Sequence, residues 1–318
     1  RPTRHGLPLT MSFSLPRRVP PIDTRRSNDL LPDGMPPSSS VSALRTPANP
    51  ACGHALNPAQ KLALARGFVI DLDGTLIAGR RVLPGAAALL EHCAQRYVIV
   101  SNNSRDTSQS LQHTLMTAGL QVDAERLVLA GEQTIRRVAA CYPGARIRLL
   151  SSKLLETFAK DQGCLLVNAE PDVIVLGRDI HFSYLKLATI VNELRQGARL
   201  VVTNPDLSHP ACDGSLIPET GALMQAVIAC SGVAPDEIVG KPGRLMFAEA
   251  IRRLGTAADA TLVIGDNPDT DVLGAARLGM PSLLVGAHPH AEIASLSALF
   301  EPAALADQVP TTSATDTQ

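Results

Sequence analysis

The stretch Phe68-Val69-Ile70-Asp71-Leu72-Asp73-Gly74-Thr75 decides how the rest of the chain is read. Val69 and Ile70 favour a pleated, enclosed backbone, and Gly74 lets the chain turn sharply after them. The stretch therefore reads as a short buried strand ending in two carboxylates. A carboxylate at such a place is costly unless a cation meets it. In an open parallel sheet, ligands bind beyond the carboxyl ends of the strands. Asp71 and Asp73 thus stand where a metal ion and a substrate are expected. The plainer alternative is a strand end with two solvated acids, and the rest of the chain has to decide between the two.

Outward from this stretch, short apolar strands alternate with helices. Pro84 opens a helix with Leu89, Leu90 and Cys93 on its inner face. Tyr97-Val98-Ile99-Val100-Ser101 is a second buried strand and runs into Asn102-Asn103-Ser104-Arg105. A helix over 106–118, a strand over 126–130 and a helix over 132–141 follow, the last with Ile135 and Val138 inward. Far along the chain come Thr261-Leu262-Val263-Ile264-Gly265-Asp266 and Ser282-Leu283-Leu284-Val285-Gly286. This alternation specifies a parallel sheet covered on both faces. Three of its strands end in polar residues, Asp71/Asp73, Ser101 and Asp266, which one sheet edge would gather.

Spacing locates a second domain. Asp71 and Ser101 are 30 residues apart, room for one strand-helix-strand unit. Ser101 and Lys241 are 140 apart, far more than a crossover needs, whereas Lys241 and Asp266 are only 25 apart. The intervening chain carries elements of its own: strands at Arg146-Ile147-Arg148-Leu149-Leu150, Val173-Ile174-Val175-Leu176 and Leu200-Val201-Val202-Thr203, and helices over 183–196 and 221–231. The expectation is a core of residues 65–144 and 236–302 with a small α/β domain, 145–235, inserted as a lid.

The totals are compatible with two domains. The chain has 318 residues, 45% hydrophobic and 19% charged; only 3% are aromatic, so aliphatic side chains must fill the core. A net charge of −1 gives no reason to expect nucleic acid or an anionic membrane as partner. No apolar run approaches the length of a membrane span. Six scattered cysteines without a CxxC pair suit a reduced, cytoplasmic protein. Residues 1–64 are rich in Pro, Ser and Arg without an apolar period and read as a disordered N-terminal extension. Arg1, Arg4, Arg17 and Arg18, with no acid among the first 22 residues, leave a transit peptide open, and Met11 and Met35 are alternative starts. Residues 303–318 read as a flexible tail.

The gathered residues suit one chemistry. A phosphate monoester dianion repels carboxylates, so a hard cation must sit between them, and Asp71, Asp73 and Asp266 supply oxygen ligands of the kind Mg²⁺ takes. Asp71 can then attack phosphorus. Asp73, from the same turn, can protonate the leaving oxygen and later take a proton from the hydrolysing water. Ser101 and Lys241 can bind phosphoryl oxygens. Lys241 precedes Pro242, which holds its backbone extended. In Gly265-Asp266-Asn267-Pro268-Asp269-Thr270-Asp271, one acid can ligate the metal while another orients its waters; a helix N-terminal cap is the alternative reading of that loop.

Asp71-Leu72-Asp73-Gly74-Thr75, Ser101, Lys241 and Asp266…Asp271 together resemble the haloacid dehalogenase superfamily of phosphatases, over about residues 66–290. The order and spacing are similar to its large-cap subclass, and Ser101-Asn102-Asn103-Ser104, Thr203-Asn204-Pro205-Asp206 and Gly240-Lys241-Pro242 to the NagD-like, p-nitrophenylphosphatase branch. The resemblance implies an α/β fold, a Rossmann-like parallel sheet core with an inserted α/β cap. It implies Asp71 as nucleophile and Asp73 as general acid/base. Mg²⁺ would be held by Asp71, the Asp73 backbone carbonyl and Asp266, with Asp271 and Asn267 in support. Ser101, Asn102 and Lys241 would bind phosphate, and Asn204, Asp206 and His209 would face a small phosphorylated metabolite from the cap. His209-Pro210-Ala211-Cys212-Asp213-Gly214 is similar to a loop of pyridoxal phosphate phosphatases; a histidine capping a turn is the alternative. Where the branch has Pro-Gly-Thr-Gly, this chain has Pro218-Glu219-Thr220-Gly221, which adds a negative charge near an anion pocket. Cap-to-cap homodimers are common among similar proteins. His288-Pro289-His290 reads as an exposed loop. Two other functions stay open: metal-independent carbon–halogen hydrolysis, which has no leaving oxygen for Asp73 to protonate, and a non-catalytic module that binds a phosphometabolite.

Overall fold

The computed structural model describes residues 56–210 and 215–301. In chain order the elements are α1 (Pro58–Leu64), β1 (Gly67–Asp71), the hairpin β2 (Ile77–Ala78) and β3 (Arg81–Val82), α2 (Ala86–Cys93), β4 (Tyr97–Ser101), α3 (Ser108–Ala118), β5 (Leu127–Leu129) and α4 (Ala130–Cys141). Next come β6 (Arg146–Leu150), α5 (Lys153–Asp161), β7 (Leu165–Leu166), β8 (Val173–Leu176), α6 (Tyr184–Arg195), β9 (Arg199–Val202), β10 (Ser208–Pro210), β11 (Leu216–Pro218), α7 (Thr220–Ser231) and β12 (Glu237–Ile238). The chain closes with α8 (Arg244–Leu254), β13 (Thr261–Gly265), α9 (Leu273–Ala276) and β14 (Ser282–Leu284).

Two five-stranded parallel sheets organise these elements. The first has the order β14-β13-β1-β4-β5, the second β12-β9-β8-β6-β7. β1 is central in the first, with Ile70 opposite Ile264 on one side and Ile99 on the other. All five of its residues are buried, as expected where helices cover both faces. Alternation divides them: Phe68 and Ile70 join the cluster that includes Leu89 of α2 and Leu115 of α3. Val69 points the other way, into the cluster of Met246, Phe247 and Ala250 of α8. Both clusters are mainly aliphatic, as the composition requires. The fold is α/β, with a parallel sheet core and an inserted α/β cap.

Several expectations need correction. Residues 1–55 lie outside the described residues, but 57–64 are not the structureless end of an extension. Asn57 and Gln60 form a capping box, Pro58 occupies the first turn, and Lys61 Nζ reaches the Ser282 carbonyl at 2.9 Å and Glu292 at 2.6 Å. The domain boundaries at 144/145 and 235/236 also shift. In α4, Val138 packs with Ile147, Val173 and Val201 of the second sheet, and Ile135 with Leu155 and Ala159 of α5. That helix therefore spans both domains: its first turn stays with the core, where Ala130 is buried and Glu132 accepts from Ser108, and its later turns serve the cap sheet. At the return, β12 is still a strand of the second sheet, paired with β9. The expected tail, 303–318, lies outside the described residues. Among the described residues, no helix is long and apolar enough to cross a membrane, and Cys93, Cys141, Cys164 and Cys230 are free thiols.

Candidate active site

Parallel pairing sets the carboxyl ends of β13, β1 and β4 side by side, and the site grows from those three ends. Asp71 is the last residue of β1 and is 6% exposed. Thr75 Oγ1 donates to its Oδ2 at 2.9 Å, and Lys241 Nζ donates to its Oδ1 at 2.5 Å. The same ammonium donates to Asp271 Oδ1 at 2.7 Å. Burial works against the Lys241 charge, but Asp271 and Asp71 outweigh it and raise its pKa. This is the cation that a carboxylate at a buried strand end demands.

Asp266 follows β13. It leads into a five-residue π turn, Pro268–Val272, where Asn267 Oδ1 accepts from the Asp269 amide at 2.9 Å. That turn brings Asp271 back under the strand end. One oxygen each from Asp71, Asp266 and Asp271 lies within 4.8 Å of the others, the only such grouping of acids, histidines and cysteines among the described residues. Gly74 makes the approach feasible. Its φ is +95°, and a Cβ there would stand 2.0 Å from Asp266 Oδ2. Three hard oxygen donors in so small a space fit a divalent cation of the Mg²⁺ or Ca²⁺ kind. Burial, then the charges of Asp71 and Asp271, push the Asp266 pKa up to about 7. Burial also lifts Asp271 to about 6, against the pull of Lys241. Asp73 opens onto the cavity. The protein packed around it, then the Asp71 charge, raise it to about 6, although Lys241 and a 3.3 Å bond from Ser101 Oγ pull it down.

The cap closes this edge into a cavity of about 500 Å³ lined by Asp71, Asp73, Ser101, Asn102, Asp206, His209, Lys241, Asp266, Asn267 and Asp271. Every residue expected at the site lines it except Asn204. That residue is fully buried beneath the cavity and donates to the Asn102 carbonyl at 2.9 Å, so it ties cap to core instead of facing a substrate. The Asn102 side chain is also engaged. Its Oδ1 accepts the Lys241 amide at 2.7 Å, and its Nδ2 donates to Asp206 Oδ2 at 3.0 Å. It braces the lysine and the cap.

The Haloacid dehalogenase-like hydrolase family model matches residues 68–164, and a second, HAD-hydrolase-like model matches 238–312. A dihydroxyacetone phosphatase of Corynebacterium glutamicum is 30% identical over 221 residues, which are 69% of this chain and 80% of that one. The chain belongs to the haloacid dehalogenase-like hydrolases. Among solved structures, a 4-nitrophenylphosphatase from Thermotoga maritima has a TM-score of 0.66 at 30% identity, covering 72% of this chain and 90% of that one. A glycerol phosphate phosphatase from Mycobacterium tuberculosis, solved in complex with magnesium, has the same TM-score and identity, covering 71% and 70%. Neighbours of this kind put the chain in the NagD-like, p-nitrophenylphosphatase branch of the family.

Other residues of this haloacid dehalogenase-like site escaped the sequence reading. Thr75 lies inside the stretch that opened it, four residues after Asp71, and a hydroxyl just past a glycine turn was the available signal. Arg105 and Arg178 also line the cavity. Glu219 adds less negative charge than its sequence position suggested, because Arg178 Nη1 meets it at 2.9 Å and His209 Nδ1 at 2.7 Å. Burial raises its pKa, opposed by Arg178 and His209. No local pattern announces these partners, since they come from three separate cap segments. His209 sits on β10 facing Glu219 rather than capping a turn, and residues 211–214 of its loop lie outside the described residues.

Proposed function

We propose that the chain is a Mg²⁺-dependent phosphatase that hydrolyses a small phosphate monoester through an aspartyl-phosphate on Asp71. One observation carries the reading: Asp71, Lys241, Asp266 and Asp271, spread over 200 positions of sequence, share hydrogen bonds and close contacts at one sheet edge beneath a capped cavity. Thr75 and Lys241 each hold one oxygen of the Asp71 carboxylate, which fixes its orientation for attack on phosphorus. As the phosphorus–oxygen ester bond breaks, Asp73 gives its proton to the departing alcohol oxygen. Asp73, now a carboxylate, takes a proton from water, and that water's oxygen attacks the acyl phosphate to release inorganic phosphate and restore Asp71. Ser101 and Lys241 supply donors to the phosphoryl oxygens. Mg²⁺ held by Asp71, the Asp73 backbone carbonyl and Asp266, with Asp271 and Asn267 behind them, would offset the repulsion between carboxylates and phosphate.

Halide displacement uses neither Asp73 as an acid nor a metal cluster. A non-catalytic module has no need of a carboxylate oriented on both oxygens. The scattered cysteines favour a cytoplasmic setting. A homodimer through the cap belongs to the same reading. Ile180, Tyr184 and Leu185 are exposed apolar cap side chains suited to it, and light scattering gives the mass that decides. The test of function is phosphate release from p-nitrophenyl phosphate. Turnover with Mg²⁺, abolished by chelator and by Asp71→Asn, is the expected result. Equal rates for Asp71→Asn and the parent overturn the mechanism.

A further inference from the structure

Two guanidinium groups on the cavity wall take no part in the reaction proposed above. Arg105 follows β4 in the core, and Arg178 follows β8 in the cap. Ser104 holds their backbones together, because its hydroxyl accepts the Arg178 amide at 3.1 Å. Ser151 Oγ donates to the Ser104 carbonyl at 2.7 Å, and the Ser152 hydroxyl donates to the Arg105 carbonyl. The two arginines therefore enter the cavity at one seam between domains. Each has a buried Nε without a hydrogen-bond partner. Arg178 shares Glu219 with His209. Among the described residues, the Arg105 guanidinium meets no carboxylate.

Four of the cavity's acids are already occupied. Lys241 holds Asp71 and Asp271, Asn102 holds Asp206, and Asn103 Nδ2 donates to Asp106 at 2.9 Å. Buried donors left unpaired are unfavourable, and a guanidinium fork matches two oxygens of one acid group. A neutral alcohol oxygen can accept a single such bond, but it offers neither the charge nor the paired oxygens that a guanidinium fork matches. We infer that Arg105 and Arg178 receive a second acid group, carboxylate or phosphate, on the alcohol half of the monoester. Glu219 and His209 fix the Arg178 fork for that contact. The inference rests on the phosphatase reading and deepens it by naming the substrate class.

Matched esters test it through phosphate release in Mg²⁺. Phosphoglycolate against ethyl phosphate and 3-phosphoglycerate against glycerol 3-phosphate read a carboxylate. Fructose 1,6-bisphosphate against fructose 6-phosphate reads a second phosphate. In at least one pair the acidic member is expected to have about tenfold or greater kcat/KM, through a lower KM, as one or two charge-assisted hydrogen bonds would give. Arg105→Gln should lower kcat/KM for that member at least about tenfold more than for its neutral mate. Arg105→Lys should restore part of the preference, which separates charge recognition from a folding defect. Equal kcat/KM within every pair, or equal losses in Arg105→Gln, overturns the inference while p-nitrophenyl phosphate is still hydrolysed. Failure to hydrolyse any of these esters, p-nitrophenyl phosphate included, overturns the phosphatase reading itself.

Discussion

Lys241 is 3% exposed, and its ammonium touches two carboxylates that are themselves almost closed to solvent. Removing one partner of a buried ion pair leaves an uncompensated charge, at a cost of about 3–5 kcal/mol. Lys241→Met is therefore expected to lower the unfolding free energy by about that amount at pH 8 in urea titrations. The loss should shrink towards pH 5, where Asp271 takes up a proton. A loss that stays constant over this range would mean that packing, not charge, is what the lysine supplies. Gly74 acts by having no side chain. An alanine there must displace Asp266 and would sit at a left-handed φ of +95°. Misplacing a reacting group by about 1 Å can cost about a hundredfold in rate. Gly74→Ala should lose that much kcat and also the thermal stabilisation expected of Mg²⁺ in the parent. Retention of the thermal shift would show that Asp266 is not a ligand.

At the scale of elements, the loop after β4 and the loop after β9 hold each other. Asn102 receives the Lys241 amide and Asn204 reaches the Asn102 carbonyl, so one asparagine pair joins the lysine loop, the core and the cap. Asn102→Ala should cost about 10- to 100-fold in kcat/KM, the loss of two or three hydrogen bonds at about 0.5–1.5 kcal/mol each. Thermal melting should move by only a few degrees, because none of the hydrophobic clusters around the two sheets is touched; a large drop in melting temperature would refute this division of roles. The elements that sequence revealed are those with a local apolar run. β6 and β8 match their expected residues, and α7 begins one residue early. Some of those it did not reveal lack such a run, although α5, with Leu154, Leu155 and Phe158, and β7 were passed over despite having one. Ser208–Pro210 and Leu216–Pro218 carry prolines that argue against strands. Two-residue β12 is defined only by its pairing with β9. The face of α4 with Ile135 and Val138 was legible as buried. Which sheet covers it is a non-local fact, and the chain does not state it.

For the whole molecule, the acids converging on one sheet edge make stability depend on pH in a definite direction. Burial, reinforced by neighbouring carboxylates, raises Asp73 and Asp271 to about 6 and Asp266 to about 7, all above their unfolded value of about 3.8. Between roughly pH 4 and 7 the folded state therefore binds more protons than the unfolded chain, and the linkage relation makes stability fall as pH rises. In chelator, the melting temperature should climb as pH is lowered from 8 towards 5.5. A divalent ion held by these acids would favour the folded state and remove the repulsion, so saturating Mg²⁺ should raise melting most at pH 8 and flatten the profile. A variant isolates the contribution of the acids. Asp266→Asn keeps every histidine and removes the most perturbed carboxylate. In chelator at pH 8 it should melt above the parent, its pH profile should be flatter, and Mg²⁺ should no longer shift it. The opposite order, with the parent melting higher than Asp266→Asn in chelator at pH 8, would mean that the three acids do not crowd one another, and the physical reason for placing a cation between them would be gone.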